Sequence, residues 1–186
     1  MKINEVVDGF RFKSVMPQDK DRFMSVRKEA SDIAAYYKAY PEFVDFNWDL
    51  ILRDEKEINM VVLQQPENLF VATCSILKAP DNTIELAYDV VKELRGKGIG
   101  TAVVRALIKL AHDRFPDREV LVKISKENHV SQHVAEKCGG VFVGTEDSPE
   151  SMAVQTLLST ISDYSKADEA RAAIEAGRNA VMVYKV

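Results

Sequence analysis

The sequence predicts an α/β (α+β) fold: a mixed central β-sheet flanked by helices on both faces, with a helical insertion before the last strand. Three observations predict it. Short runs with period-two alternation or β-branched enrichment recur between stretches of helical, 3.6-residue spacing. Their order is strand, two helices, three strands separated only by turns, helix, strand, helix, two strands, an order that packs as a sheet covered on both sides. The 186 residues, 46% hydrophobic and 29% charged, suit one domain over 1–186 with a sizeable core.

The elements follow in order. Residues 10–16 alternate and read as a first strand, and Pro17 and Asp19 then mark a helix start, with Phe23, Val26, Arg27 and Ala30 at helical spacing. An aromatic-rich segment follows, with Tyr36, Tyr37, Tyr40, Phe43, Phe46 and Trp48, in a chain that is only 8% aromatic. Its rings read either as helix residues packing onto a sheet or as the lining of an acceptor pocket. The helix carrying Trp48, Ile51 and Leu52 should end near Glu57. Residues 59–65 and 69–78 flank Pro66-Glu67-Asn68 as a hairpin, and Pro80-Asp81-Asn82 turns the chain into an extended run at 84–91. Ile99, Val103, Leu107 and Leu110 then repeat at helical spacing up to the breaker Pro116, and residues 119–125 form another strand. Asn128 opens a short helix that stops at the C-cap pair Gly139-Gly140. Residues 141–143 and 180–184 read as the last two strands, and residues 147–179 between them as two inserted helices. Met152, Leu157, Leu158 and Ile161 mark the first of these; Ser165, Ala172, Ala173 and Gly177 mark the second.

Composition excludes several function classes. A net charge of -4 argues against nucleic acid as the main partner, since a phosphate-backbone binder usually shows a basic face. Charges interrupt every long apolar run and the first residues lack a signal-type apolar core, so neither a membrane span nor export is expected and the compartment read is the cytoplasm. Cys74 and Cys138 read as buried reduced thiols. Cysteines and histidines alike lack metal-ligand spacing, so no metal is expected.

The most informative stretch is Arg95-Gly96-Lys97-Gly98-Ile99-Gly100-Thr101, three glycines and two cations where a strand gives way to a helix. Glycine tolerates φ > 0 and lets the backbone approach a ligand, and a helix start aims free N–H groups into the turn. The Walker pattern fails because no Gly-Lys is followed directly by Ser or Thr, and the dinucleotide fingerprint fails because Thr101 stands where its third glycine would be. What remains is Arg-x-x-Gly-x-Gly between a strand and a helix. That pattern resembles the acyl-CoA pyrophosphate loop of the GNAT superfamily of N-acetyltransferases. The order of elements from about residue 10 to 186 is that of the same fold.

The resemblance implies acetyl-CoA as cofactor and a primary amine as acceptor, attacked directly in a ternary complex. Backbone N–H groups of Gly96, Lys97, Gly98, Ile99, Gly100 and Thr101 would cradle the pyrophosphate, with the charges of Arg95 and Lys97 added. The exposed strand edge that meets the pantetheine would lie at Val90 and Val91 on one side and around Ile124 and Ser125 on the other. Asn128-His129-Val130-Ser131, followed by Glu136-Lys137-Cys138-Gly139, is similar to the family's Asn-x-x-Ser/Ala … Glu-Lys-x-Gly segment, which implies cofactor contacts for Asn128 and Ser131. Asn128 could equally serve only as an N-cap. Glu85-Leu86-Ala87-Tyr88 looks like the Glu-Leu-Gly-Tyr stretch of members that acetylate ribosomal-protein N-termini, which makes Glu85 the expected general base and Asp89 the fallback on the same strand face. One departure stands out: where many members carry a tyrosine that protonates the leaving thiolate, this chain has Ala135. The competing reading is a catalytically weak CoA-binding regulatory or sensor domain, and the inserted helices leave room for a homodimer.

Overall fold

The structure, a computed structural model, describes residues 2–29, 43–79, 81–147 and 180–186. The chain divides into two compact units, Met1–Leu121 and Val122–Val186. The described strands form an eight-stranded, mixed-orientation sheet flanked by helices, as the sequence predicts. The aromatic positions Tyr36, Tyr37 and Tyr40 and the two inserted helices expected within 147–179 fall, all but Asp147, outside the described residues.

The first unit opens with a strand that the sequence reading missed. β1 (Asn4–Val7) pairs antiparallel with β2 (Phe10–Ser14), Val7 opposite Phe10. The two residues between them, Asp8 and Gly9, have φ of 48° and 84°. Positive φ at both central residues is the signature of the two-residue hairpin turn that follows strand twist, and Asp-Gly is one of its strongest sequence signals. A 3-10 turn at Pro17–Asp19 then leads into α1 (Lys20–Arg27). α2 (Phe43–Arg53) stops four residues before the expected Glu57, because Asp54 caps the turn with its carboxylate, accepting from the N–H groups of Lys56 and Glu57 at 2.7 and 3.2 Å. β3 (Glu57–Gln64), β4 (Leu69–Lys78) and β5 (Thr83–Val90) continue the antiparallel sheet. α3 (Ile99–Arg114) follows, and β6 (Glu119–Ser125) returns parallel to β5.

Register decides which residues share a face. Val61, Thr73 and Asp89 are successive cross-strand neighbours on β3, β4 and β5, as are Asn59, Ser75 and Ala87. Directly opposed residues of an antiparallel pair point to the same side. On that side Val61 packs with Phe23 and Met24 of α1 and Val44 and Trp48 of α2, the Phe23 and Trp48 rings 5.7 Å apart. Val90, one residue beyond Asp89, points to the opposite side. There a Cβ built on Gly100 would stand 3.5 Å from the Val90 side chain, so α3 begins over the second face. Its apolar stripe of Val103, Val104, Ala106, Leu107, Leu110 and Ala111 is buried.

In the second unit, β6 is followed by α4 (His129–Lys137), β7 (Val141–Glu146) and β8 (Val181–Lys185), and β7 pairs antiparallel with β8. The end of α4 is a paired-bond cap: Gly139 N–H donates to Glu136 C=O and Gly140 N–H to Ala135 C=O, at 3.0 and 2.9 Å. Gly139 takes φ of 91°, and a Cβ on Gly140 would stand 2.8 Å from the Ala135 carbonyl oxygen. Both glycines are therefore required where the sequence places them.

Candidate active site

The glycine turn is built as the sequence implies. β5 ends at Val90, a 3-10 turn covers Lys92–Leu94, and Gly98 is the N-cap of α3. Gly96 and Gly98 have φ of 73° and 81°, in the region where a side chain is strained, and nothing of the described protein lies within 4 Å of where a Cβ would stand on either. The space beside the turn is open. The first intrahelical bond runs from Ala102 N–H to Gly98 C=O, so the N–H groups of Ile99 and Gly100 precede the helical ladder. No acidic residue occupies the first turn of α3, while His112 and Arg114 sit in the last, so the positive dipole end is uncompensated. Lys97 and Arg95 are exposed beside it. A diphosphate fits this turn by backbone conformation, by space and by charge.

Arg95 makes a structural contact that the sequence did not reveal. Its Nε donates to the Val90 carbonyl at 2.9 Å, which ties the loop back to the strand end. Val91 donates its N–H to Val71 C=O and accepts from Leu94 N–H. Because Val91 and Val71 form a hydrogen-bonded pair, the backbone groups of Val90 face away from β4. On that other side, the ladder with β6 pairs Thr83, Ile84 and Glu85 with Glu119, Val120 and Leu121, and leaves Leu86–Val90 outside it. The exposed edge expected at Val90 and Val91 is thus reduced to Val90, whose carbonyl Arg95 already uses.

The Asn128 segment lies in the second unit. Asn128 is the N-cap of α4, and its Oδ1 accepts from Ser131 N–H at 3.1 Å. The capping role is therefore present, and it leaves the Asn128 amide donors and the Ser131 hydroxyl for other partners. Ser125 C=O, at the strand end, accepts from Asn128 N–H at 2.9 Å and from Gln132 Nε2 at 3.0 Å; Gln132 also reaches Lys126 C=O at 2.8 Å. Gln132 fixes the entry to α4, and no sequence signal singled it out. Ala135, at the position where the resemblance implies a tyrosine, is 2% exposed.

Of the two β5 carboxylates, Glu85 and Asp89 lie on one face, about 13 Å apart along the strand at ~3.3 Å per residue. They are placed differently. Asp89 lines a small recess of the first unit, together with Phe23, Arg27, Asn59, Thr73 and Ser75. Glu85 is half-buried at the end of the β6 ladder and is not among the described lining residues. Cys74 also borders the recess, and burial, then the Asp89 charge, pushes its thiol pKa well up. That thiol keeps its proton at neutral pH and is a poor nucleophile. Among the described residues no group of His, Cys, Asp and Glu could hold a metal ion, and no described helix is long and apolar enough to cross a membrane.

The sequence pattern of the acetyltransferase (GNAT) domain family matches residues 8–141, so the chain belongs to the GNAT acetyltransferase family. Among solved structures the chain is similar to a GNAT-family acetyltransferase from Bacillus anthracis, at 19% identity over 78% of this chain and 87% of that one, with a TM-score of 0.61. It is similar to a Vibrio cholerae protein described as a ribosomal-protein-serine acetyltransferase, at 12% identity over 100% of this chain and 97% of that one, TM-score 0.63. A mutant of the spermidine N-acetyltransferase from Vibrio cholerae matches at 14% identity over 96% and 93%, TM-score 0.65. No curated protein matches the chain. At these identities the solved structures establish the fold, and the family match establishes acetyl transfer as the class of activity.

Proposed function

We propose that the protein is an acetyl-CoA-dependent N-acetyltransferase that acts on a primary amine in a ternary complex. The observation that carries this reading is the Arg95–Thr101 turn, with two left-handed glycines and a helix start open to solvent on its ligand side. Gly96 to Thr101 would hold the diphosphate of the cofactor through backbone N–H groups, Arg95 and Lys97 would supply charge, and Val90 would border its arm. Acetyl-CoA, when bound, would supply an acetyl thioester for the amine nitrogen to attack, with the CoA thiolate as leaving group. A β5 carboxylate would remove the amine proton, and that proton would reach the thiolate through water or another hydroxyl, since Ala135 offers none. Glu85 is the base that family resemblance implies. Asp89 is the one that lines the recess, and geometry favours it. Direct transfer is supported by the protonated state of the Cys74 thiol, which leaves the recess without an activated cysteine.

Two measurements test the reading. Acetyl-CoA should raise the melting temperature, because a ligand that binds only the folded state stabilises it by mass action. Free thiol should then be released when amines are added. A shift without thiol release from any amine would turn the conclusion to the sensor reading, which the buried Ala135 favours. No shift at saturating acetyl-CoA would remove both.

A further inference from the structure

The recess beside Asp89 is polar where its surroundings are apolar. Four polar or charged residues are buried among the described ones, and three of them, Asn59, Thr73 and Ser75, line this recess at 5%, 2% and 5% exposure. Register explains the grouping: Asn59 and Ser75 are cross-strand neighbours, as are Thr73 and Asp89, so adjacent rows of β3, β4 and β5 present one polar patch under α1. Phe23 and Arg27, one helical turn apart on α1, close it from above.

Two donors in this patch lack an acceptor. Asn59 Nδ2 and Arg27 Nε are both shielded from solvent and neither has a hydrogen-bond partner. Buried donors are rarely left in this state, because each has given up its water without replacement. The same recess holds one carboxylate, Asp89. Its chemistry is thus bipolar: a negative group for a cation, and two orphaned donors for an oxygen.

We infer that the acceptor carries a carbonyl or carboxylate oxygen next to its amine, as an amino acid or a peptide α-amine does, and that Arg27 and Asn59 select it. The inference rests on the N-acetyltransferase reading. Asp89 pairs with the ammonium and Asn59 and Arg27 donate to the neighbouring oxygen. A polyamine offers only donors and cations, so it would leave Asn59 Nδ2 unsatisfied and set a positive charge against Arg27. Discrimination of this kind is large because the cost falls on buried polar groups of the site.

The test is a panel assayed by thiol release and mass spectrometry with acetyl-CoA. Glycinamide and a tripeptide amide represent the α-amino carbonyl class; 1,4-diaminobutane and spermidine represent oxygen-free amines. The expected result is a kcat/KM at least about 100-fold higher for the first class. Arg27→Gln, on a partly exposed helix position, and Asn59→Leu should each raise KM for glycinamide about tenfold or more with a smaller change in kcat, and should narrow the ratio between the classes. Both should keep the acetyl-CoA-induced rise in melting temperature, which reports an intact fold and cofactor turn. Faster acetylation of spermidine than of either amide, or a class ratio that Arg27→Gln leaves unmoved, overturns the inference while leaving the enzyme reading in place. Thiol release from no amine at all overturns both.

Discussion

At the scale of single residues, the most constrained side chain is Asp19. It is fully buried, and it accepts from Met16 N–H at 2.8 Å, from Lys13 at 3.4 Å and from Arg22 at hydrogen-bonding range. Burial pulls its pKa up, but the Arg22 and Met16 hydrogen bonds and the charges of Arg22 and Lys13 outweigh it and hold the carboxyl below its ordinary value. A depressed carboxyl contributes stability that is present above the unfolded value near ~4 and is lost as pH falls through the folded value. Asp19→Asn should therefore cost about 2 kcal/mol at pH 7, the scale of a charged hydrogen bond, and lower the melting temperature by roughly 4–8 °C. The gap between variant and wild type should narrow as pH falls through the carboxyl's lowered folded value in a melting series. A gap that widened with acid would show the wrong sign for a depressed carboxyl. The β5 carboxylates make a second residue-scale prediction. Asp89→Asn should lower kcat/KM by ~100-fold or more, the range for loss of a general base. Glu85→Gln, assayed beside it across pH, decides between them. Its loss should be greatest at lower pH, where less amine is already deprotonated. If Glu85→Gln carries the full loss and Asp89→Asn little, the base is Glu85.

At the scale of elements, the strand-turn-helix unit from β5 to α3 is where cofactor binding is proposed, and two of its glycines are there for conformation. Gly98 holds φ of 81° at the helix N-cap, where alanine pays about 1–2 kcal/mol for the left-handed region. Gly98→Ala should weaken acetyl-CoA binding about tenfold, read as a shifted midpoint in a melting-temperature titration, while the unliganded protein melts only a few degrees lower. Unchanged affinity would remove the turn from the cofactor site. The legibility of this unit in the sequence was uneven. The spacing of Arg95, Gly96, Gly98 and Gly100 identified the turn, since glycine at a strand-helix junction has few local alternatives. The bond from Arg95 Nε to Val90 C=O was not legible, because it depends on how the chain doubles back after the 3-10 turn. Nor was β1: its four residues, Asn4 to Val7, carry too little pattern, although Asp8-Gly9 announced its hairpin.

At the scale of the whole molecule, ligand binding should be read against a single melting curve only if the two compact units unfold together. If they do, acetyl-CoA at 100 times its Kd should add about 2.7 kcal/mol, or roughly 5–10 °C. Calorimetry showing one unit unmoved would assign the cofactor to the other. Hydrophobic periodicity and glycine punctuation, both local in the chain, determined the order of the described elements from β2 onward, the mixed sheet, the position of the glycine turn and the Gly139-Gly140 cap of α4. Only the tertiary structure decided which residues share a face and a recess. Asn59, Thr73 and Asp89 come from three strands and Arg27 from a helix; cross-strand register, set by turns and bulges far from any of them, brought them together. A period-two pattern says that a side chain alternates, and it is silent on what lies opposite. That is why the proposed cofactor turn could be read from seven consecutive residues, and the recess proposed for the acceptor could not be read from any stretch at all.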